Sequence, residues 1–272
     1  FINTTDERRP LRGTLYDQDG RVVGDANTFF GYLDPLEQIW LSRDQIAEEI
    51  GAEWSGEGML ELDVFDMGVK LLNLNYIMEE ETFLNFSCFE NETSASVFLQ
   101  TPSTSQNISF THLVNTSDES QTFSGTLYAS DGSQVGAANQ PLHESPVPPK
   151  ARLIISSEDL EQAFSISPWE GPAMLEVKGS DSFELMTKLQ SPSGLVSNTN
   201  CVRREHVHNI GGFDQSDMSY VRFINTGQEA LKNIRGSLYD SRGKIIGWGG
   251  ANLIAELPAK AQVWLSRDKL SD

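Results

Sequence analysis

The sequence predicts a mainly β protein built of tandem β-sandwich repeats of about 110 residues each. Three observations lead to this prediction. The octet GTLYDQDG begins at residue 13 and returns as GTLYASDG at 125 and GSLYDSRG at 236, offsets of 112 and 111 residues. Around each octet, apolar and polar residues alternate as in strands with one buried face. The chain of 272 residues is long enough for two or three such cores.

The octet itself predicts a hairpin corner. Asp-Gly and related pairs supply the positive φ that a tight turn between two strands requires. Because the three octets share the glycine but not the carboxylates, we expect Gly20, Gly132 and Gly243 to occupy such corners with φ above zero. The same comparison argues against a calcium loop in the first octet, although Asp17 and Asp19 begin like one.

Further landmarks recur around each octet. An apolar strand ending in Asn-Thr precedes it, and an apolar strand running into serine follows it. In the first two copies this serine begins a short helix. In the first copy Ser42 and Gln45 form a capping box and Gly51 ends the helix, and SEDLEQAF from 157 repeats the pattern. Trp-x-Gly then leads into a further strand. Each repeat therefore predicts about six or seven strands and one short helix in a crossover, which suits an Ig-like sandwich.

The alignment divides the chain into repeats at 1–109 and 110–219 and a half repeat at 220–272. A frame shifted by half a repeat gives a half at 1–53 and repeats at 54–166 and 167–272. Either frame leaves one half repeat whose strands would expose apolar faces and unpaired edges. We expect more chain or a neighbouring molecule to cover it, and strand addition between head-to-tail neighbours is one route.

The charge of the chain excludes several classes of partner. Thirty-nine acidic and 20 basic side chains give a formal charge of −19, which argues against nucleic acid and against anionic membrane surfaces. No apolar run approaches the roughly 18 residues of a spanning helix, so we expect no membrane insertion. The first residue is Phe1 instead of Met, and FINTT is typical of a strand entered midway with no signal-peptide regions before it, so we expect a processed or incomplete chain.

Five N-x-[ST] sequons exceed the roughly two or three that composition gives by chance. The sequons, all in the first 117 residues, are at Asn3, Asn85, Asn91, Asn107 and Asn115. Glycans, if attached, would coat one end of the molecule.

Cys88 and Cys201 stand at equivalent places of two repeats, which argues against a bridge between them. Small apolar core residues are the favoured interpretation, and bridges between molecules are the alternative. Four polar residues follow Cys201 closely: His206, His208, Asp214 and Asp217. Their spacing matches no closed zinc site, and the first repeat has no histidine there, so we favour incidental loop residues over a metal site.

The tryptophans offer two interpretations. Trp40 matches Trp264 and Trp54 matches Trp169, which favours packing in the core or between domains. Together with Trp248 they leave a sugar-binding platform as the alternative. P-loop, dinucleotide, G-x-S-x-G and H-E-x-x-H motifs are missing from the sequence, so we expect no enzyme and no cofactor.

The segments YVRFINTG, GSLYDSRG and ELPAKAQVWL together resemble the tandem Ig-like or fibronectin-III-like modules of bacterial secreted and surface proteins. The resemblance covers the first half of all three repeats and carries over no functional residue. It implies an extracellular or cell-surface location and a structural or adhesive role. We therefore expect a non-catalytic subunit of a surface filament, stalk or adhesin, with further copies of itself as partners. The alternative is a carbohydrate-binding or enzyme-accessory module with surface glycans as partners.

Overall fold

A computed structural model describes residues 1–63, 68–71, 74–77, 82–85, 90–194, 196–198, 220–240, 242–266 and 270, with backbone alone at 74–77, 82–85, 90–98 and 198. These residues form a mainly β fold with two short helices, α1 (Arg43–Ile50) and α2 (Ser157–Phe164). The described strands are β1 (Ile2–Asn3), β2 (Arg9–Tyr16), β3 (Thr28–Leu33), β4 (Met59–Leu62), β5 (Val69–Lys70), β6 (Leu74–Ile77), β7 (Thr82–Asn85), β8 (Glu90–Gln100), β9 (Ile108–Asn115), β10 (Ser124–Tyr128), β11 (Gln134–Pro141), β12 (Arg152–Ser156), β13 (Ala173–Gln190), β14 (Val196–Asn198), β15 (Tyr220–Ile224), β16 (Leu231–Tyr239), β17 (Ile245–Leu257) and β18 (Gln262–Ser266).

Both helices begin at the serine that the sequence indicates. The Ser42 side chain accepts a hydrogen bond from the backbone N–H of Gln45, and the Gln45 side-chain oxygen accepts one from the backbone N–H of Ser42. Gly51 ends α1 with a φ of 68°. Ser156 and Asp159 form the same capping box at α2. These contacts satisfy backbone groups that a helix end would otherwise leave unpaired.

The residues up to 71, which we call the first unit, surround a small core. Its main sheet has the strand order β3-β2-β4, and β1 pairs separately with β5. The buried core side chains come from these strands and from the end of α1: Leu11, Leu15, Phe30, Leu33, Ile50 and Val69. The helix therefore closes one side of the core with Ile50.

The second unit, residues 90–198, holds the larger core. Its seven-stranded sheet is organised around β13, an 18-residue strand whose pairing with β8 shifts between Lys178 and Phe183. Before the shift β13 pairs with β10, and after it with β9. A strand shared in this way lets two sheet layers face each other, an arrangement compatible with a β-sandwich.

The strand β8 lies on the second unit's side of the molecule, although the sequence division at 109 places it in the first repeat. Glu90 at its start pairs with Leu185 of β13. At the other end of the unit, Asn198 of β14 pairs with Lys188 of the same strand. The chain therefore enters and leaves the second unit at neighbouring positions of β13.

The third unit, residues 220–266, consists of the pair β15–β18 and the hairpin β16–β17. Its buried apolar side chains are few, at Leu257, Ala261 and Leu265. Large apolar side chains of the hairpin are exposed instead, at Leu231, Ile245, Ile246 and Trp248. Every described strand pairs with at least one other strand of the same chain, and the third unit's two sheets are each only two-stranded.

Within the described residues, neither helix has the length and apolar character required to cross a membrane.

Candidate functional site

The three hairpin corners have the backbone conformation that their glycines permit. The φ values are 80° at Gly20, 87° at Gly132 and 76° at Gly243. In the first corner, one carboxylate oxygen of Asp17 accepts the backbone N–H groups of Asp19 and Arg21, each at 2.9 Å. The Asp17 carboxylate therefore stabilises the turn itself.

A turn of the second unit covers the first corner. In this turn, which we call a lysine turn, the N–H of Ala151 donates to the carbonyl of Pro148 at 3.2 Å and Lys150 has a φ of 60°. The N–H of Arg152 then donates across the junction to the carbonyl of Gln18 at 3.0 Å. A hydrogen bond between backbone groups therefore joins the first and second units.

The same junction recurs between the second and third units. Lys260 again has a φ of 60°, and the N–H of Gln262 donates to the carbonyl of Ser130 at 2.9 Å. A Cβ added at Gly132 would lie 2.1 Å from the carbonyl oxygen of Ala259. A Cβ at Gly20 would lie equally close to the carbonyl of Pro149. Glycine is therefore needed at these corners for close approach as well as for its φ.

At the first junction the lysine side chain joins both units. Nζ of Lys150 donates to Oε1 of Glu61 at 2.7 Å and to the carbonyl of Thr116 at 2.9 Å. The other oxygen of Glu61 accepts the Tyr16 hydroxyl at 2.9 Å. Burial alone would lower the pKa of Lys150, but hydrogen bonds to Glu61 and Asp118 outweigh it and raise the pKa, so this lysine is charged at neutral pH.

The second junction repeats these side-chain contacts. Nζ of Lys260 lies 3.3 Å from Oε1 of Glu176 and donates to the carbonyl of Thr226 at 2.8 Å. Oε2 of Glu176 accepts the Tyr128 hydroxyl at 3.2 Å. The alternation of residues in β4 and β13 places Glu61 and Glu176 on a polar face, and the structure shows that this face receives the next unit.

Among the described residues, a further group of charged side chains lies at the first junction only. Glu57 contacts Arg152, Lys188 at 3.1 Å and His112 at 3.6 Å. Burial raises the pKa of Glu57, but the charges of Arg152 and Lys188 outweigh it and the pKa is lowered. Burial, with repulsion from Lys188, lowers the pKa of His112 to about 4, so the His112–Glu57 contact is not an ion pair at neutral pH.

A buried asparagine supports each turn. The amide nitrogen of Asn115 donates to the carbonyls of Glu119, Val147 and Pro148 at 2.8, 3.0 and 2.9 Å. The three carbonyls bonded by Asn225 are those of Glu229, Leu257 and Pro258. The three bonded by Asn3 are those of Glu7, Leu33 and Asp34. One side chain thus holds three chain segments together at the base of each turn.

These contacts bear on the five sequons. In the folded chain, the amide nitrogens of Asn3 and Asn115 are buried and occupied, so neither position can carry a glycan without losing this arrangement. Asn107 is exposed. Asn85 and Asn91 lie in β7 and β8, where the side chains are outside the described residues.

The repeated tryptophans do not share one environment. Trp169 is buried in the second core, and Trp54 is half-buried beneath the guanidinium of Arg43, 5.0 Å from the ring centre. Trp40 and Trp264 are 64 and 40% exposed, so core packing is wrong for this pair. On either side of Trp40 and of Trp264 the neighbouring residues point inward, and the tryptophan itself points outward. Trp248 is 86% exposed.

The remaining sequence-based candidates lie outside the described residues: Cys88, Cys201, His206, His208, Asp214 and Asp217. Among the residues that are described, no group of three or more His, Cys, Asp or Glu could hold a metal ion. A depression beside α1, lined by Arg43, Glu48 and Trp54 among others, is open to solvent.

Comparison with known proteins gives no assignment by similarity: no protein-family model matches the chain, and no curated protein is significantly similar to it.

Proposed function

We propose that this chain is a non-catalytic extracellular structural protein, a subunit of a surface filament, stalk or adhesin built of tandem Ig-like sandwich repeats. The observation that supports this most strongly is the junction made twice by equivalent residues. A catalyst needs one place where reactive groups converge, whereas a spacer needs the same connection at each step.

The position of the junctions within the second unit favours extension in a line. Gln121, just before β10, bonds Val147 beside the lysine turn, and Tyr128 at the end of β10 borders the corner. The turn that meets the first unit and the corner that meets the third therefore lie at opposite ends of one strand, separated by roughly 23 Å at 3.3 Å per residue.

The junctions are also built to limit rotation. Each combines a backbone hydrogen bond, a nearly buried lysine and a carboxylate that is also bonded to a tyrosine. Modules joined by flexible linkers reorient freely, whereas direct bonding of this kind keeps a constant angle.

Small-angle X-ray scattering of the chain tests the structural proposal. We expect one elongated particle whose dimensions do not change with salt, because the junctions are largely shielded from screening. Lys150→Ala should broaden the distribution of dimensions, whereas Lys178→Ala, at an exposed lysine of β13, should not. An unchanged distribution in Lys150→Ala would contradict the proposed role of the junction.

Location needs a separate measurement. Antibodies against the chain should label intact cells that produce it, and protease added outside should remove the label. Label found only after the cells are broken would exclude an extracellular role.

A carbohydrate-binding module is the second candidate, favoured by aromatic exposure in the third unit. Tyr220 and Trp264 meet edge to face at 6.2 Å, and the Arg222 guanidinium lies 5.1 Å from the Trp264 ring centre. Exposed aromatic faces can stack on sugars. A glycan array tests this candidate. It is favoured if the unmodified chain binds a glycan and Trp264→Ala abolishes the binding without lowering the melting temperature. Equal binding by the unmodified chain and Trp264→Ala would exclude the Trp264 surface as the binding site.

A further inference from the structure

We propose that His112 makes the contact between the first and second units sensitive to protons. When its imidazole takes up a proton in mildly acidic solution, the first junction opens, whereas the second junction stays closed. This property belongs to the connection between the units and does not depend on the proposed structural role of the chain.

His112 lies in the contact between the two units. On β9 its cross-strand neighbours are Ile154 of β12 and Met186 of β13. From the first unit, a carboxylate oxygen of Glu57 approaches Nδ1 of His112 to 3.6 Å. The histidine is only 4% exposed, and within the described part of the chain its Nδ1 has no hydrogen-bond partner. The imidazole is therefore held away from water while the two units are in contact.

The charges around His112 disfavour its protonated form. Arg152 on β12 and Lys188 on β13 both contact Glu57, so two cations share the carboxylate that faces the imidazole. Burial, together with repulsion from Lys188, lowers the pKa of His112 to about 4 from its ordinary value of 6.5. A proton on His112 would add a third positive charge to this contact. Separation of the two units removes that cost, because the imidazole then reaches water.

Glu184 of β13 is a further titratable group on this face of the sheet. It lies opposite Val114 of β9, two positions along the strand from Met186. Burial raises the pKa of Glu184, so proton uptake by this carboxylate favours the closed form and acts against that of His112. The effect of His112 is therefore measured by comparing chains in which Glu184 is unchanged.

The second junction has the same plan with different side chains. In strand register, Arg222 stands in place of the histidine and Gln262 in place of Arg152. The residue after Trp-x-Gly is Pro172 instead of a glutamate. Nε of Arg222 donates to the Gln262 side-chain oxygen at 2.7 Å. Burial lowers the pKa of Arg222 to about 10, so this guanidinium keeps its charge throughout the acidic range. The second junction is therefore an internal control for the first.

The size of the effect follows from the two pKa values of His112. With a pKa of about 4 in the closed junction and 6.5 in the open one, the open form takes up the proton at the higher pH. Acidification therefore favours opening, and the ratio of open to closed molecules should rise about twentyfold from pH 7 to pH 5.

Amide hydrogen exchange at pH 7 and pH 5 tests the inference, with each measured rate compared with the intrinsic rate at the same pH. The N–H of Arg152 is bonded to Gln18 across the first junction, and that of Gln262 to Ser130 across the second. In the unmodified chain we expect protection from exchange to fall at Arg152 between pH 7 and pH 5, and to stay the same at Gln262.

Two matched substitutions assign the effect to one histidine. His112→Gln keeps a polar side chain but cannot take up the proton, so the fall at Arg152 should be about twentyfold smaller in this variant. His143→Gln, at an exposed histidine of the same unit, should retain the full fall. Circular dichroism at pH 7 checks that both variants are folded, and the comparison of Arg152 with Gln262 in the unmodified chain needs neither variant.

Equal changes in protection at Arg152 and Gln262 in the unmodified chain would overturn the inference, because acid would then act on the whole chain instead of one junction. A fall at Arg152 that is as large in His112→Gln as in the unmodified chain would overturn it as well.

Discussion

Replacing Lys260 by methionine should open the junction between the second and third units. Methionine keeps most of the length of the side chain but removes the ammonium group that contacts Glu176 and the Thr226 carbonyl. Lys260 is only 5% exposed and the Glu176 side chain 14%, so the remaining carboxylate would be left in a poorly hydrated place.

Removing one partner of a buried ion pair costs about 3–5 kcal/mol, because the other charge stays buried. The Tyr128 hydroxyl still donates to Glu176, which offsets part of this cost. We therefore expect Lys260→Met to destabilise the junction by about 3 kcal/mol, the lower end of this range. The double variant Lys260→Met/Glu176→Gln should recover part of it, giving a coupling free energy of about 1–3 kcal/mol between the two positions.

Amide hydrogen exchange at Gln262 measures the opening directly, because that N–H is bonded across the junction to Ser130. About 3 kcal/mol corresponds to roughly a hundredfold faster exchange in Lys260→Met. Lys178→Met is the control, since Lys178 is exposed and makes a single 3.3 Å contact with Asn139. Exchange at Gln262 that is no faster in Lys260→Met than in the control would refute the reasoning.

Three further outcomes follow from the structure. Asn115→Asp should lower the free energy of unfolding by about 3 kcal/mol or more, because a carboxylate would face three carbonyls. Asn107→Asp, at the exposed sequon, should leave the stability unchanged, and thermal melts of the two variants make the comparison. The pKa of His112 is about 4 in the folded chain and ordinarily 6.5, so the unfolded chain takes up the proton at a higher pH than the folded chain does. The free energy of unfolding therefore decreases as pH falls from 6.5 to about 4, by up to about 3 kcal/mol. Urea titrations of His112→Gln should show a smaller loss there, and an identical pH profile would contradict it. Gly132→Ala and Gly243→Ala impose similar backbone strain at positive φ, but only the Cβ at position 132 would strike the next unit. We therefore expect Gly132→Ala to lower the free energy of unfolding by about 1–3 kcal/mol more than Gly243→Ala. Equal losses in the two variants would count against a closed junction at Gly132.

Features determined by neighbouring residues could be predicted from the sequence. The capping boxes at Ser42 and Ser156 and the positive φ of the corner glycines depend on four or five consecutive residues. The outward direction of Trp40 was also accessible, because the apolar residues on either side of it alternate with it.

The junctions depend on contacts between distant parts of the chain and could not be derived in this way. Lys150 and Glu61 are 89 positions apart, and neither residue stands out locally. A signal was nevertheless present: PPKA at 148 and PAKA at 258 repeat a lysine in a turn, while DPLE at 34 replaces it by leucine. Likewise, the pairing of β8 with β13 joins segments on either side of the boundary that the alignment places at 109.

The meeting of entry and exit strands on β13 has a consequence for how such a chain can change in length. Glu90 and Asn198 pair with Leu185 and Lys188, three positions apart and therefore within roughly 10 Å along the strand. A segment whose ends meet can be duplicated or deleted as a block without stretching what flanks it. Because the corner and turn at its two ends are equivalent to those of its neighbours, recombination could insert or remove whole copies and keep the backbone and lysine contacts that both junctions share.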